Sequence, residues 1–356
     1  METLLLRDTP DDIWKAAEIL ARGGLVTFPT ETVYGLGADA RNSDAVRKIY
    51  LAKGRPSDNP MIVHIADKED LAEMTPVITE DMKKLSDSFW PGPMTMIVRR
   101  MPDMPDTTTG GLDTVGIRLP SNYTARALIR MAGCPVAAPS ANLSGRPSTT
   151  TFEHCVHDLS GKVDAIIDGG SCTVGIESTV IDMTSDTPTI LRPGIITREM
   201  FRDVLGKDVA LDKTLTQKPD VILDPSEFPE GSANAKNADG NAGAGDFRPK
   251  SPGMKYKHYA PAAEMRIFEG KRENVERAIA DEKSRLEADG KKVAVILHGS
   301  GESEEIKAAH DLFAELRQAD ADGADVILAA ALPEEGVGFS VMNRMLKSAG
   351  YNITKV

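Results

Sequence analysis

Five basic side chains, Lys53, Arg55, Arg118, Arg146 and Arg192, fall where apolar runs give way to turns rich in Gly, Pro, Ser or Asn. Arginine offers a planar fork to a carboxylate or phosphate, and lysine offers a point charge. The neighbouring polar residues suit the same task. Thr30, Glu31, Thr32 and Tyr34 follow the run Leu25–Phe28 in FPTETVYGLGADA. Asn59 and His64 follow Lys53 and Arg55 in KGRPSDNPMIVHI, and Ser140, Asn142 and Ser144 crowd the stretch before Arg146 in PSANLSGRPS. Hydroxyls and backbone amides at a strand end are the parts of a phosphate cradle. In GIESTV the strand opens at Ser178, and Arg192 closes the next strand, so a tight hairpin would bring the two to one rim.

Each signal also has a plainer reading. Cations past a helix C-terminus suit its dipole. Ser and Asn build ordinary turns. A lone His64 in an apolar strand is more often a satisfied core residue than a ligand. Arg118, inside an apolar run, requires an anionic partner from the protein or from a ligand. Taken together, the five cations suggest a focused pocket for a phosphorylated small molecule such as a nucleoside triphosphate. The residues by themselves lead no further. Walker A, HExxH and nucleophile-elbow motifs are absent,.

The elements that must position these groups alternate. Apolar spacing predicts a helix over Ile13–Ala21, a strand over Leu25–Phe28 and a helix capped by Ser43 and running to Lys53,. Strands follow at Met61–Ile65, Met94–Val98, Val115–Leu119, Val136–Ala138, Ala165–Ile167, Ser178–Met183 and Thr189–Leu191, with helices at Glu80–Phe89 and Asn122–Met131. Short strands joined by Pro- and Gly-rich loops favour a twisted mixed sheet. The pattern fades after Leu211, and Gly231–Gly245 reads as a flexible insert,. The organised stretch SPGMKYKHYAP, Ser251–Pro261, ends this linker. Beyond it, strands at Met265–Phe268, Val293–Leu297 and Val326–Ala330 alternate with helices at Glu273–Ala288, Ser303–Gln318 and Phe339–Ser348. That alternation predicts a small three-layer α/β unit without a dinucleotide loop.

A chain of 356 residues implies two domains,. Its net charge of −12 and pI near 5.1 argue against bulk attraction to nucleic acid or anionic membrane,. No apolar run spans a bilayer, the N-terminus lacks the marks of a signal peptide, and a cytoplasmic location is expected,. Cys134, Cys155 and Cys172 are odd in number and form no CxxC pair, which indicates neither a disulfide framework nor a zinc site,.

The ordered segments PTETVYGLG, KGRPSDNPMIVHI, FWPGPMT, VGIRLP, APSANLSGRPS and GIESTVID followed by ILRPG resemble the YrdC-like family. The likeness is nearly continuous from Asp11 to Gly206. It extends through SPGMKYKHYAP to GFSVMNRMLKSAG, as in the family's two-domain form. The resemblance implies a YrdC-like α/β catalytic domain (1–210), a long linker (211–262) and a small Rossmann-like α/β C-terminal domain (263–356). It implies a nucleotidyltransferase that converts L-threonine, bicarbonate and ATP into threonylcarbamoyl-AMP and pyrophosphate. A partner transferase would then modify an adenosine of tRNA.

Carried over by motif, Thr32, His64, Arg118, Ser140 and Ser178 should hold threonine. Arg55, Asn59, Asn142, Thr150 and Arg192 should contact ATP, with Thr114 as a further contact. Lys53 and Arg55 are the expected catalytic residues, and Tyr256, His258 or Tyr259 of the linker should meet the nucleotide. Glu31 receives no role. Mg²⁺ should ride on the phosphates, with no protein metal site and no covalent nucleophile. Ser251–Pro261 is expected to act as a lid, and the C-terminal domain to serve regulation or partner docking. Two other readings remain open here. One is an RNA-binding module; the other is the carbamoyl-adenylate chemistry of hydrogenase-maturation carbamoyltransferases.

Overall fold

The computed structural model describes residues 2–216, 250, 258–299 and 301–356. The insert at Gly231–Gly245, Tyr256 and most of the expected lid lie outside the described residues.

Strands β1 (Leu4–Arg7), β2 (Val26–Phe28), β3 (Gly35–Asp39), β4 (Ile62–His64), β5 (Met94–Arg99), β6 (Thr114–Arg118), β7 (Val136–Ala137), β8 (Ala165–Asp168), β9 (Thr179–Asp182), β10 (Thr189–Arg192) and β11 (Ala210–Leu211) form one sheet. Its order is β1-β8-β2-β3-β7-β4-β6-β5-β9-β10-β11, with parallel and antiparallel pairs interleaved, as the mixed-sheet expectation requires. Helices α1 (Pro10–Ala21), α2 (Ser43–Lys53), α3 (Leu71–Met74), α4 (Glu80–Phe89), α5 (Asp106–Thr109), α6 (Tyr123–Ala132), α7 (Phe152–Leu159), α8 (Arg198–Leu205) and α9 (Lys213–Thr216) accompany it.

Local chemistry sets the boundaries. Thr9 caps α1, and Pro10 occupies the first turn, where a missing N–H costs nothing,. The cap of α2 is Asn42 rather than Ser43: its side-chain oxygen accepts from Asp44 N and Ala45 N, both at 3.1 Å,. Ser43 is the first helical residue. Strand β3 is not among the expected strands, because glycine is depleted in strands,. The glycines are there for packing. A Cβ on Gly37 would stand 2.7 Å from both the Phe28 ring and Val136 Cγ1. Phe28 therefore fills the space that side chains on β3 would otherwise take.

The second sheet, β13 (Val293–Ile296), β14 (Val326–Ala330), β12 (Glu264–Glu269) and β15 (Ile353–Lys355) in that order, is wholly parallel. Helix α10 (Arg272–Ala288) covers one face, where Phe268 and Leu328 meet Val275 and Ile279. Helices α11 (Glu302–Ala321) and α12 (Gly336–Ser348) cover the other face, where Ile267 and Ile327 meet Leu312, Phe313 and Val341. The alternation along each strand supplies both faces, giving three layers. Val33 and Ile176 of the N-terminal domain belong to the same apolar cluster as α11 and α12. The two domains therefore share a core, in which each fully buried aliphatic side chain contributes about 1.5–3 kcal/mol. No described helix is long and apolar enough to cross a membrane.

Candidate functional site

The residues flagged in the sequence gather along one edge of the large sheet. Parallel β4 and β6 end together, with His64 opposite Arg118. Antiparallel β5 puts Thr95 opposite Arg118, and parallel β9 puts Val180 beside Thr95. Ser178, just before β9, shares a hydroxyl–hydroxyl bond of 2.7 Å with Thr95. Arg192, at the end of β10, donates from Nε to the Ser178 carbonyl and from Nη2 to its hydroxyl, both at 3.1 Å. The expected hairpin contact is present.

The FPTETVYG segment forms the adjoining wall. Its backbone is laced to two other loops: Tyr34 N donates to Thr149 O, Ala141 N to Tyr34 O, and Val174 N to Glu31 O, at 2.9, 2.8 and 2.7 Å. Tyr34 is buried, donating its hydroxyl to Gly170 O and accepting from Gly169 N. It holds the wall rather than facing a ligand through its oxygen.

Together these elements line one cavity, the concave, mixed polar and apolar setting that small-molecule sites share. Of the expected site residues, Arg55, His64, Arg118, Ser140, Asn142, Ser178, Arg192, His258 and Tyr259 line this cavity. Arg146 joins them, so among the described residues four arginines stand against one lining carboxylate, Glu177. The balance suits a polyanion despite the acidic chain.

Other expected residues stand back from it. Lys53 is buried, and its ammonium donates to the carbonyls of Ser140 and Asn142. Burial, then Arg55, push its pKa well below the usual lysine value. The side chain pins a loop instead of reaching into the cavity. Thr32 lies behind Thr30, hydroxyl to hydroxyl at 2.9 Å. Thr150 offers its carbonyl to Cys172 N. Thr114 begins β6, about 13 Å along the strand from Arg118 by strand rise, and does not line the cavity,. Asn59 gives its carbonyl to Arg55 and Tyr50, while its buried side-chain oxygen has no protein partner.

The cavity's electrostatics are specific. Arg118 Nη2 donates to Glu31 Oε1 at 2.8 Å, and Glu31 Oε2 accepts from Ser121 N. Glu31 is thus the anionic partner that a buried Arg118 requires. Arg118 Nε has none. His64 is pushed down to about 3 by burial and by Arg118, and burial with Arg55 holds His258 well below the usual histidine value. Both rings are neutral, and His258 Nε2 lacks a partner. Tyr259 takes a left-handed φ of 64°, stacks on Phe313 at 5.2 Å and is pushed up to about 12 by burial and Glu177. The next residue, Ala260, donates to Gly145 O at 2.8 Å, seating the linker's end on the rim.

Sequence reasoning missed Glu177. Burial would raise its pKa, but Arg344, Arg192 and the Ser148 hydroxyl outweigh burial and hold the carboxyl below its usual value. Arg344 stands 167 residues away on α12, and no local pattern links the two.

Known proteins resemble both halves of the chain. A family model described as "Telomere recombination" matches residues 18–194, and one described as "Threonylcarbamoyl-AMP synthase, C-terminal domain" matches residues 196–350. A threonylcarbamoyl-AMP synthase of Pyrococcus abyssi is 42% identical, with 96% of each chain covered. One of Bacillus subtilis is 41% identical, covering 96% of this chain and 94% of the relative. The crystal structure of P. abyssi Sua5 complexed with L-threonine superposes with a TM-score of 0.86 over 100% of both chains, at 41% identity.

Proposed function

The chain belongs to the threonylcarbamoyl-AMP synthase family, and from that premise we propose that it joins L-threonine, bicarbonate and ATP into L-threonylcarbamoyl-AMP with release of pyrophosphate and water. One observation carries the reading: a single cavity combines four arginines with strand-end hydroxyls and two neutral histidines.

The threonine carboxylate is assigned to Arg118. One edge of that guanidinium is held by Glu31, and the unpartnered Nε is left to donate to the substrate,. Ser178 and Ser140 present hydroxyls beside it. Carbamate formation needs a neutral amine held against bicarbonate, and a carbamate survives only away from bulk water. With His64 and His258 neutral, the positive charge of the cavity is carried by its arginines.

Attack of the carbamate oxygen on the α-phosphorus displaces pyrophosphate. Arg55, Arg146 and Arg192 are the residues assigned to the triphosphate charge,. No covalent protein nucleophile is invoked. Burial pushes the Cys134 and Cys172 thiols up to about 12 and Cys155 higher still. Mg²⁺ would arrive on the phosphate oxygens, since the cavity's carboxylate is already taken by Ser148 and Arg344. No step here depends on a protein-held metal. The product would pass to a transferase that modifies tRNA.

The test is mass spectrometry of the products from threonine, bicarbonate and ATP without RNA. Threonylcarbamoyl-AMP with equimolar pyrophosphate is expected. Finding only ADP, or threonyl-adenylate, overturns the reading.

A further inference from the structure

The C-terminal domain reaches the cavity wall through two arginines. Arg317 on α11 donates to both Asp158 carboxylate oxygens, at 3.1 and 2.8 Å, and to the carbonyls of Pro147 and Ser148. Arg344 on α12 is fully buried. Its Nε donates to Glu177 Oε2 at 3.2 Å, and its Nη1 donates to the carbonyls of Pro193 and Ser340. One turn earlier, Ser340 donates its hydroxyl to Gly194 O at 2.7 Å. Helix α12 thus grips the backbone on the far side of Arg192, while Glu177 is the residue immediately before Ser178.

Glu177 joins three parts of the protein. Its Oε1 accepts from Ser148 at the end of the Ser140–Ser148 loop, and its Oε2 accepts from Arg344. Arg192, Tyr259 and half-buried Lys347 also bear on it. Without Arg344, the strongest cationic influence left on this buried carboxylate would be Arg192. A Glu177–Arg192 pair would cancel a charge that an incoming phosphate needs.

We propose that Arg344 is a positioning residue for the synthesis: by taking the charge of Glu177 from the C-terminal domain, it keeps Arg192 set toward the nucleotide and Ser178 toward the threonine. The C-terminal domain therefore completes the active site, a role beyond regulation or docking. This rests on the functional reading above.

The experiment compares Arg344→Met, Arg344→Lys, Glu177→Gln and the double variant Glu177→Gln/Arg344→Met, with kcat and KM for each substrate measured from pH 5.5 to 9. Displacing Arg192 by about an ångström predicts a roughly 100-fold fall in kcat/KM for ATP in Arg344→Met. The threonine KM should move less, and the acid limb should shift to higher pH as Glu177 loses its main cationic partner. Arg344→Lys should recover part of the loss. On the Glu177→Gln background, removing Arg344 should add little and move no limb, because no carboxylate remains to steer. If the two losses multiply and the pH limb stays fixed, Arg344 only packs the domain and the inference fails. If Arg344→Met does not fold, Arg344→Lys with and without Glu177→Gln gives the same comparison. A wild-type protein that makes no threonylcarbamoyl-AMP refutes the functional reading itself, and the inference falls with it.

Discussion

Replacing Arg118 by lysine tests the threonine assignment most directly. Arg118 and Glu31 form a buried pair, with side chains 5% and 8% exposed, and the pair uses Nη2 alone. Nε faces no protein acceptor. If the substrate carboxylate takes that edge, Arg118→Lys keeps a cation beside Glu31 but cannot serve both partners at once. One charge-assisted hydrogen bond is lost, about 1.5–3 kcal/mol. At about 1.4 kcal/mol per decade, the threonine KM should rise roughly 10- to 140-fold. The ATP KM should change by less than about threefold. Thermal stability should fall little, because Glu31 keeps a charged neighbour. Arg118→Met, by contrast, strands a buried carboxylate and should cost about 3–5 kcal/mol in denaturant unfolding. The assay is pyrophosphate release with threonine and ATP varied in turn. An unchanged threonine KM with a raised ATP KM would mean that Arg118 serves the phosphates, and the carboxylate assignment would be wrong.

Three further outcomes are expected. Asp158→Asn leaves Arg317 facing a neutral group across the domain boundary and should destabilise the protein by about 3 kcal/mol; with Arg317→Met added, a fully additive loss in chemical denaturation would show the pair to be uncoupled. Gly175→Ala should loosen domain docking, since φ there is +83° and a Cβ would meet the His310 carbonyl of α11 at 2.3 Å; unchanged hydrogen-exchange protection of α11 together with full activity would contradict this. His64 is held at about 3 in the fold against 6.5 for the free group, so its contribution to stability is complete above pH 6.5 and declines as pH falls toward 3,. His64→Gln should therefore flatten, though not abolish, the loss of melting temperature between pH 6.5 and 4, because His154 and His258 are pushed down as well; an unaltered slope would refute the assignment.

How much could be read from the residues depended on range. Asn122 before Tyr123, Gly54 after Lys53 and the apolar stripe of α4 announce helix limits locally, and the structure places those limits within a residue or so. The rim contact between Ser178 and Arg192 followed from one hairpin. Strand β3 hid because its glycines answer to the Phe28 ring, a neighbour across the sheet. Lys53 looked like a phosphate ligand because its sequence neighbours are Gly54 and Arg55. Its actual partners are carbonyls 87 and 89 residues onward, and only tertiary packing delivers them. Glu31, which receives no role from its sequence neighbours, is the counter-charge to Arg118.

The pair between Glu177 and Arg344 also has a consequence in time. A ribosome adds about 5–20 residues per second, so the 167 residues between the two partners take about 8–33 s to make. Throughout that interval the sheet edge carrying Ser178 and Arg192 has been translated, while its countercharge has not. On the role proposed for Arg344, a growing chain exposes no finished nucleotide site until α12 has docked.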